Sequence, residues 1–170
     1  MNGFVEVLIA FFSRPHPNLI RSTSICVTKN KVEYSMLKGE SASRYYRMRL
    51  RLADLKSIFH DIGRALFHMH NVWRWTHNDV YGNILFYENE VLSDFSNSRP
   101  ILASHSEAQV RKLFFQDFDQ LFGVVQLFFF GDKNPRGTIE CEALKKFVEE
   151  SDRCQEDKDW FLCIIDLFIC

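Results

Sequence analysis

Apolar residues recur at three- and four-residue steps along the middle of the chain, at Leu52, Leu55, Ile58, Phe59, Ile62, Leu66 and Met69. That spacing places them on one stripe and predicts an amphipathic helix within the breaker-poor stretch 41–71. A second stretch, 106–130, is helical in character. Leu121, Phe122, Val124, Val125, Leu127, Phe128 and Phe129 make it apolar nearly all round, which predicts burial on most sides. Two β-rich segments, 22–28 and 31–37, flank Lys29-Asn30 and predict an antiparallel hairpin with asparagine in its turn. Residues 84–86 and 91–93 bracket Tyr87-Glu88-Asn89-Glu90 and predict a second, tight hairpin. An apolar run at 4–12 reads as a buried helix or strand, stopped by Pro15 and Pro17. Beyond the GDKNPRG loop, 140–150 and 157–168 read as two more amphipathic helices. The pattern sums to one α+β domain over 1–170, mainly helical.

Composition narrows the function classes. The 170 residues are 46% hydrophobic and 25% charged, a globular balance that leaves room for one domain. Phenylalanine is common, with 17 copies concentrated in the second half, and suggests a dense aromatic core. The formal net charge of −1 offers no electrostatic case for binding nucleic acid. The basic run Arg44, Arg47, Arg49, Arg51 and Lys56 reads as a solvated helix face. Cysteines at 26, 141, 154, 163 and 170 are odd in number and form no C-x-x-C pair, which argues against a zinc site or disulfide framework and for a reducing compartment. The run 5–12 lacks the flanks of a secretory signal, and 160–170 is too short to span a bilayer. The expectation is a soluble intracellular protein, cytoplasmic or nuclear, with no membrane partner.

Candidate chemistry is concentrated in 76–96. His77, Asp79 and Asn83 fall in a short loop after the long helix, a hairpin follows, and Asp94-Phe95 comes next. Phosphoryl transfer wants this arrangement. One carboxylate accepts or orients the acceptor hydroxyl, while a second carboxylate and an amide oxygen hold magnesium against the phosphates. A lone H-x-D or D-F is more often a loop polar group and a core aromatic; the ordered set carries the argument.

These residues resemble the signatures of the eukaryotic protein kinases. HNDVYGNIL is similar to the catalytic-loop pattern H-R-D-L-x-x-x-N, and LSDFS is similar to the magnesium loop D-F-G. HPNLI resembles the turn before strand four of that family, and KVEYSMLKGES its strand five and hinge. DFDQLFGVVQLFFFG resembles its buried central helix, with Asp117 or Asp119 in the capping role. The resemblance runs from about residue 4 to at least 131. It implies a protein kinase-like fold with a reduced N-lobe (1–40, N-lobe remnant and hinge) and a mainly helical C-lobe (41–170). It implies Asp79 as catalytic base, Asn83 and Asp94 as metal ligands, and His77 packed on the Phe95 region. Tyr34, Met36 and Leu37 would meet the nucleotide at the hinge, with Asn83 also on the cofactor. ATP and Mg2+ would be the cofactors, and protein serine or threonine the acceptor.

Departures from the family pattern keep the function open. No glycine-rich phosphate loop and no strand-three lysine in a V-A-I-K context occur in the sequence. Glu6 would have no lysine partner. Asp79 and Asn83 are four positions apart, one fewer than in the family, and Val80-Tyr81-Gly82 replaces the loop lysine. Asn78 stands for the family arginine, Ser96 for the D-F-G glycine, and no A-P-E motif appears. Two readings follow. One is a divergent kinase moving a phosphoryl group from Mg-ATP to protein; the other is a pseudokinase or decoy that binds a kinase or a kinase substrate. A small-molecule phosphotransferase is a third.

Overall fold

The computed structural model describes residue 9, residues 15–29, 31–36, 39–45, 52–86 and 90–130. Within them the architecture is mixed α+β: small antiparallel sheets set against two helices. Strands β1 (Ser22–Thr28) and β2 (Lys31–Met36) form the first hairpin, with Thr28 opposite Lys31. This matches the ribbon expected around Lys29-Asn30; Leu37 lies outside the described residues. The ribbon is largely exposed, and Val27 keeps 69% of its surface in solvent. A two-stranded ribbon so wet contributes little to the core.

The second hairpin is different. β3 (Glu40–Ser41) pairs with β5 (Ile84–Phe86), and β5 pairs with β6 (Glu90–Leu92). The last strand starts one residue earlier than the pattern predicts, because Glu90 pairs with Phe86 and Ser93 already turns toward the loop. Period-two alternation divides the hairpin's faces. Ile84 and Leu92 are fully buried in the core, while Leu85 and Val91 face the other way. The segment before β1 is clipped parallel to the free edge of β6: Ile20 N–H donates to the Leu92 carbonyl at 2.9 Å, and Leu92 N–H to the Asn18 carbonyl at 2.9 Å. Asn18 locks the register with its side-chain amide on the Glu90 carbonyl, 2.9 Å.

Helix α1 (Leu52–His68) presents Ile58, Phe59, Ile62, Ala65 and Leu66 to the core, as its period requires. The side chains of Leu52 and Leu55 lie outside the described set. Where the pattern runs on to Asn71, α1 instead widens into a π turn, Met69–Trp73, closed by Arg74 N–H on the Met69 carbonyl. Arg74 stands in the left-handed region, φ 59°. This wider turn leaves both Met69 and His70 buried. Strand β4 (Trp75–Thr76) then pairs with β7 (Arg99–Pro100), closing the loop between them. Helix α2 (Glu107–Phe130) packs across α1, burying Phe118, Leu121, Val124 and Phe128. Residue 9 is helical and joins this core; the rest of 4–12, and the helices expected at 140–150 and 157–168, fall outside the described residues. Among the described residues no helix is long and apolar enough to cross a membrane.

Leu92 is central to the core and Val27 is peripheral, so the two hairpins differ in weight. Leu92→Ala should destabilise the protein by roughly 2–5 kcal/mol. Val27→Ala should change it by no more than about 0.5 kcal/mol. Urea denaturation of both variants checks this; equal effects would mean that the ribbon is part of the core.

Candidate active site

The loop that follows β4 is held from beneath by α2. Asp117 is fully buried and accepts three hydrogen bonds: from His77 N–H and Asn78 N–H, each at 2.7 Å, and from His70 Nε2, also at 2.7 Å. A buried carboxylate needs such donors, since it has left water behind. The His70 ring is fixed in turn by stacking on Phe114, centroids 4.2 Å apart. One helical turn after Asp117, Gln120 accepts Val80 N–H at 2.7 Å and donates to the Asn78 carbonyl at 3.3 Å. One further step along the same face, Gly123 leaves room for Tyr81, whose ring would come within 3.3 Å of any Cβ placed there. Asp117, Gln120 and Gly123 thus form a cradle for 77–81. Asp119 is exposed on the opposite side of α2, so of the two acids it is Asp117 that meets the loop.

The short spacing from Asp79 to Asn83 closes through a turn. Asn83 N–H donates to the Val80 carbonyl, 3.3 Å, and Gly82 has φ 83°, a conformation that glycine adopts without strain. This returns Asn83 to the base of the loop, where its side-chain amide donates to the Asp79 carbonyl at 2.8 Å. The main-chain carbonyl of Asn83 accepts from both the N–H and the hydroxyl of Ser93, at 2.8 and 2.9 Å. The catalytic-loop candidates and the strand leading to Asp94 are joined at this point.

His77 is the second joint. It is fully buried, and its Nε2 lies 3.0 Å from the Ser93 carbonyl. A carbonyl only accepts, so Nε2 carries the proton. Nδ1 is then the acceptor for Asp79 N–H, at 3.3 Å. Both ring nitrogens are satisfied in the neutral form. Burial holds the His77 pKa below the usual histidine range, against the opposing pull of Asp117, the Ser93 carbonyl, Asp79 and Asp94. The ring edge meets Phe95, centroids 5.6 Å apart, as the sequence suggests, and Trp73 meets Phe95 from another side at 5.9 Å.

Asp94 and Asn78 are both left-handed, at φ 58° and 60°. Aspartate and asparagine tolerate this region better than most residues, yet its occurrence at two loop positions is uncommon and tends to mark functional sites. Asp94 caps a 3₁₀ turn, Phe95–Asn97, by accepting Ser96 N–H on Oδ1 at 3.1 Å. Asn78, where an arginine stands in the resembled family, instead donates its amide to Thr76 Oγ1 at 2.9 Å and to the Asn97 carbonyl at 3.2 Å. Asn97 donates to Asp79 Oδ2 at 2.9 Å.

The hairpin that follows this loop borders a cleft of about 390 Å³, lined by His16, Leu19, Ile20, Gly39, Leu85 and Val91 among others and by no residue of the loop itself. Leu85 and Val91 are directly paired in the hairpin; half-buried, they pack at the edge of the core and line the cleft together with the core residues Leu19 and Ile20. Of the residues expected to meet a nucleotide, Asn83 is two positions from Leu85. Tyr34 and Met36 lie on β2 and do not line the cleft; Gly39 does so from that side, and Leu37 is outside the described residues. Among the described residues no group of three His, Cys, Asp or Glu side chains is placed to hold a metal ion. Asn83 and Asp94 are one amide and one acid, a set outside that pattern.

Sequence reasoning missed His70, Asn97 and Gln120. Helical period could have found Asp117 and Gln120: counting back from the apolar positions 121, 124 and 128 lands on 117 and 120, not 119. No sequence signal pointed to His70 or Asn97, whose partners are 47 and 18 residues away. No protein-family model matches the chain, and no curated protein matches it.

Asp117→Ala should leave the buried His77 N–H, the half-buried Asn78 N–H and an imidazole without their acceptor, at about 3–5 kcal/mol in all. Asp119→Ala should stay within about 0.5 kcal/mol. Chemical denaturation of the two variants tests this, and equal losses would remove Asp117 from its role. A second expectation concerns pH. The unfolded chain binds a proton at His77 near pH 6.5, and the folded chain only at lower pH, so stability present above 6.5 should fall as pH drops from 7.5 to 5. His16, held at about pKa 4 by burial and then by His68 and Arg64, acts in the same sense. A urea midpoint that stays flat over that range would contradict the assignment.

Proposed function

We propose that this chain binds a magnesium–nucleoside triphosphate and transfers its terminal phosphoryl group to a hydroxyl, as the resemblance to the protein kinases implies. The observation that carries the reading is the double joint at His77 and Asn83. These two residues tie the loop bearing Asp79 to the segment that leads to Asp94, and both acids act electrostatically on one buried imidazole. Structure alone has little need for such a joint between two part-buried acids. Phosphoryl transfer needs it, because its catalysis is almost entirely positioning and electrostatics.

The oxygens left uncommitted fit these roles. Asn97 occupies Asp79 Oδ2, which leaves Oδ1 to orient an acceptor hydroxyl and take its proton. Ser96 N–H occupies Asp94 Oδ1, leaving Oδ2. Asn83 has its amide N–H on a carbonyl, leaving Oδ1. Asp94 Oδ2 and Asn83 Oδ1 are hard oxygen donors of the kind that Mg2+ accepts, and the ion supplies charge to offset the phosphates. The cleft over Leu85 and Val91 is apolar on its hairpin side and large enough for a purine ring. Its lining residue Leu85 is two residues along the hairpin from Asn83, about 7 Å at strand spacing. A ring with a polyphosphate tail has those dimensions.

A second reading is a binding module without turnover, the pseudokinase or decoy, with a kinase or kinase substrate as partner. The exposed β1–β2 ribbon favours it, since most of β1, Val27 among it, stands in solvent, and its Thr23 lines the cleft. The wild-type protein should bind ATP in isothermal titration with magnesium present and lose most of that affinity in EDTA. Asp94→Asn should weaken the magnesium-dependent part by about 10-fold or more. A folded protein that takes up no heat with Mg-ATP would exclude the transfer reading and leave the binding module.

A further inference from the structure

We infer that Asn97 is the positioning residue of the base, an inference that rests on reading Asp79 as the group that takes the acceptor's proton. The Asn97 side chain is exposed, so packing does not account for its orientation. Its backbone, by contrast, is fixed. It ends the 3₁₀ turn that begins at the fully buried Phe95 and is capped by Asp94, and Ser98 N–H closes the turn on the Phe95 carbonyl at 3.0 Å. From that rigid base its amide reaches Asp79 Oδ2 at 2.9 Å, while its own carbonyl receives the Asn78 amide at 3.2 Å. Asn78 and Asn97 are thus two amides crossed between the loop of Asp79 and the turn of Asp94.

This contact does two things. A carboxylate on one Cβ rotates about its last torsion, and a single hydrogen bond to Oδ2 fixes its plane with Oδ1 outward. The donor is also uncharged, so it orients the acid without forming an ion pair. In the transfer step the acceptor oxygen bonds to the terminal phosphorus, the bond from that phosphorus to the bridging oxygen breaks, and the nucleoside diphosphate leaves with that electron pair. The acceptor's proton passes to Asp79 Oδ1. Asn97 touches neither substrate nor phosphate; it acts through Asp79.

The test uses ATP hydrolysis, with water as acceptor and saturating magnesium, beside NMR of the Asn97 side-chain amide. Asn97→Ala should lower kcat by about 10-fold with the KM for ATP unchanged. Asn97→Asp, which has the same shape but sets a second carboxylate against the first, should lower kcat by about 100-fold or more. Asn97→Gln keeps the donor and should recover part of the rate. In the NMR arm, which needs no turnover, Asp79→Ala should move the Asn97 side-chain amide signal to the position of a solvent-exposed amide. An amide signal that Asp79→Ala leaves unmoved overturns the inference, as does an Asn97→Ala enzyme with wild-type kcat. Wild-type protein that binds Mg-ATP and hydrolyses none of it overturns the base assignment for Asp79 instead; a moved amide signal would then mark the contact as structural.

Discussion

A single carboxylate, that of Asp117, organises this molecule. Burying an ion without partners is prohibitively unfavourable, so wherever Asp117 goes its donors must follow. Two of them are consecutive backbone N–H groups, His77 and Asn78, and the third is the imidazole of His70. Two adjacent N–H groups converge on one carboxylate only if the chain turns sharply there, and Asn78 supplies that turn at φ 60°. The loop conformation is therefore set from below by α2, not by the loop's own side chains. His70 reaches the same carboxylate because α1 widens into a π turn before it ends. One buried charge thus fixes the end of α1, the start of the polar loop and the angle of α2 together.

From that anchor the order passes upward through groups that have no alternative partner. His77 is buried with one donor and one acceptor matched to its neutral tautomer, so it acts as a rigid spacer between Asp79 and Ser93. The Asn83 carbonyl takes both donors of Ser93. The hairpin between them then has one face committed to the core through Ile84 and Leu92 and one face left to the cleft through Leu85 and Val91. Rigid joints below and an open apolar face above are what a ligand site requires, and they come from the same few residues.

The parts of this structure that were legible in the sequence are those governed by local period. The stripe Ile58, Phe59, Ile62, Leu66 and the ribbon around Lys29-Asn30 follow from spacing and turn chemistry alone. Local period was less informative where long-range contacts decide. The strand at 90–92 begins a residue early because Glu90 pairs with Phe86, and its other edge is taken by Asn18 and Ile20, some seventy residues before it. The helix expected to run to Asn71 changes its winding at Met69, where His70 turns in to meet Asp117. In the candidate site, Asp79, Asn83 and Asp94 could be named from motif order. The amide that holds Asp79 could not, because Asn97 reads as an ordinary loop residue until the fold brings it to Asp79 and to the Asn78 amide.

The choice of amides has a consequence for how such a site could work. The groups that touch the oxygens of Asp79 and Asp94 are the Asn97 amide and the Ser96 N–H, both neutral. The imidazole nearest to both acids is kept neutral by burial. These contacts orient the two side chains through neutral donors and bring no cation to either acid. A polyphosphate arriving alone would meet like charge at short range, where repulsion is strongest and solvent screening weakest. Under the proposed reading, a nucleotide's phosphates would need a cation to settle here, arriving with them or held by Asp94 and Asn83. A site built with lysine and arginine clamps could bind nucleotide without metal; under the proposed reading, one built on asparagines would make the metal a condition of binding, before any question of catalysis arises.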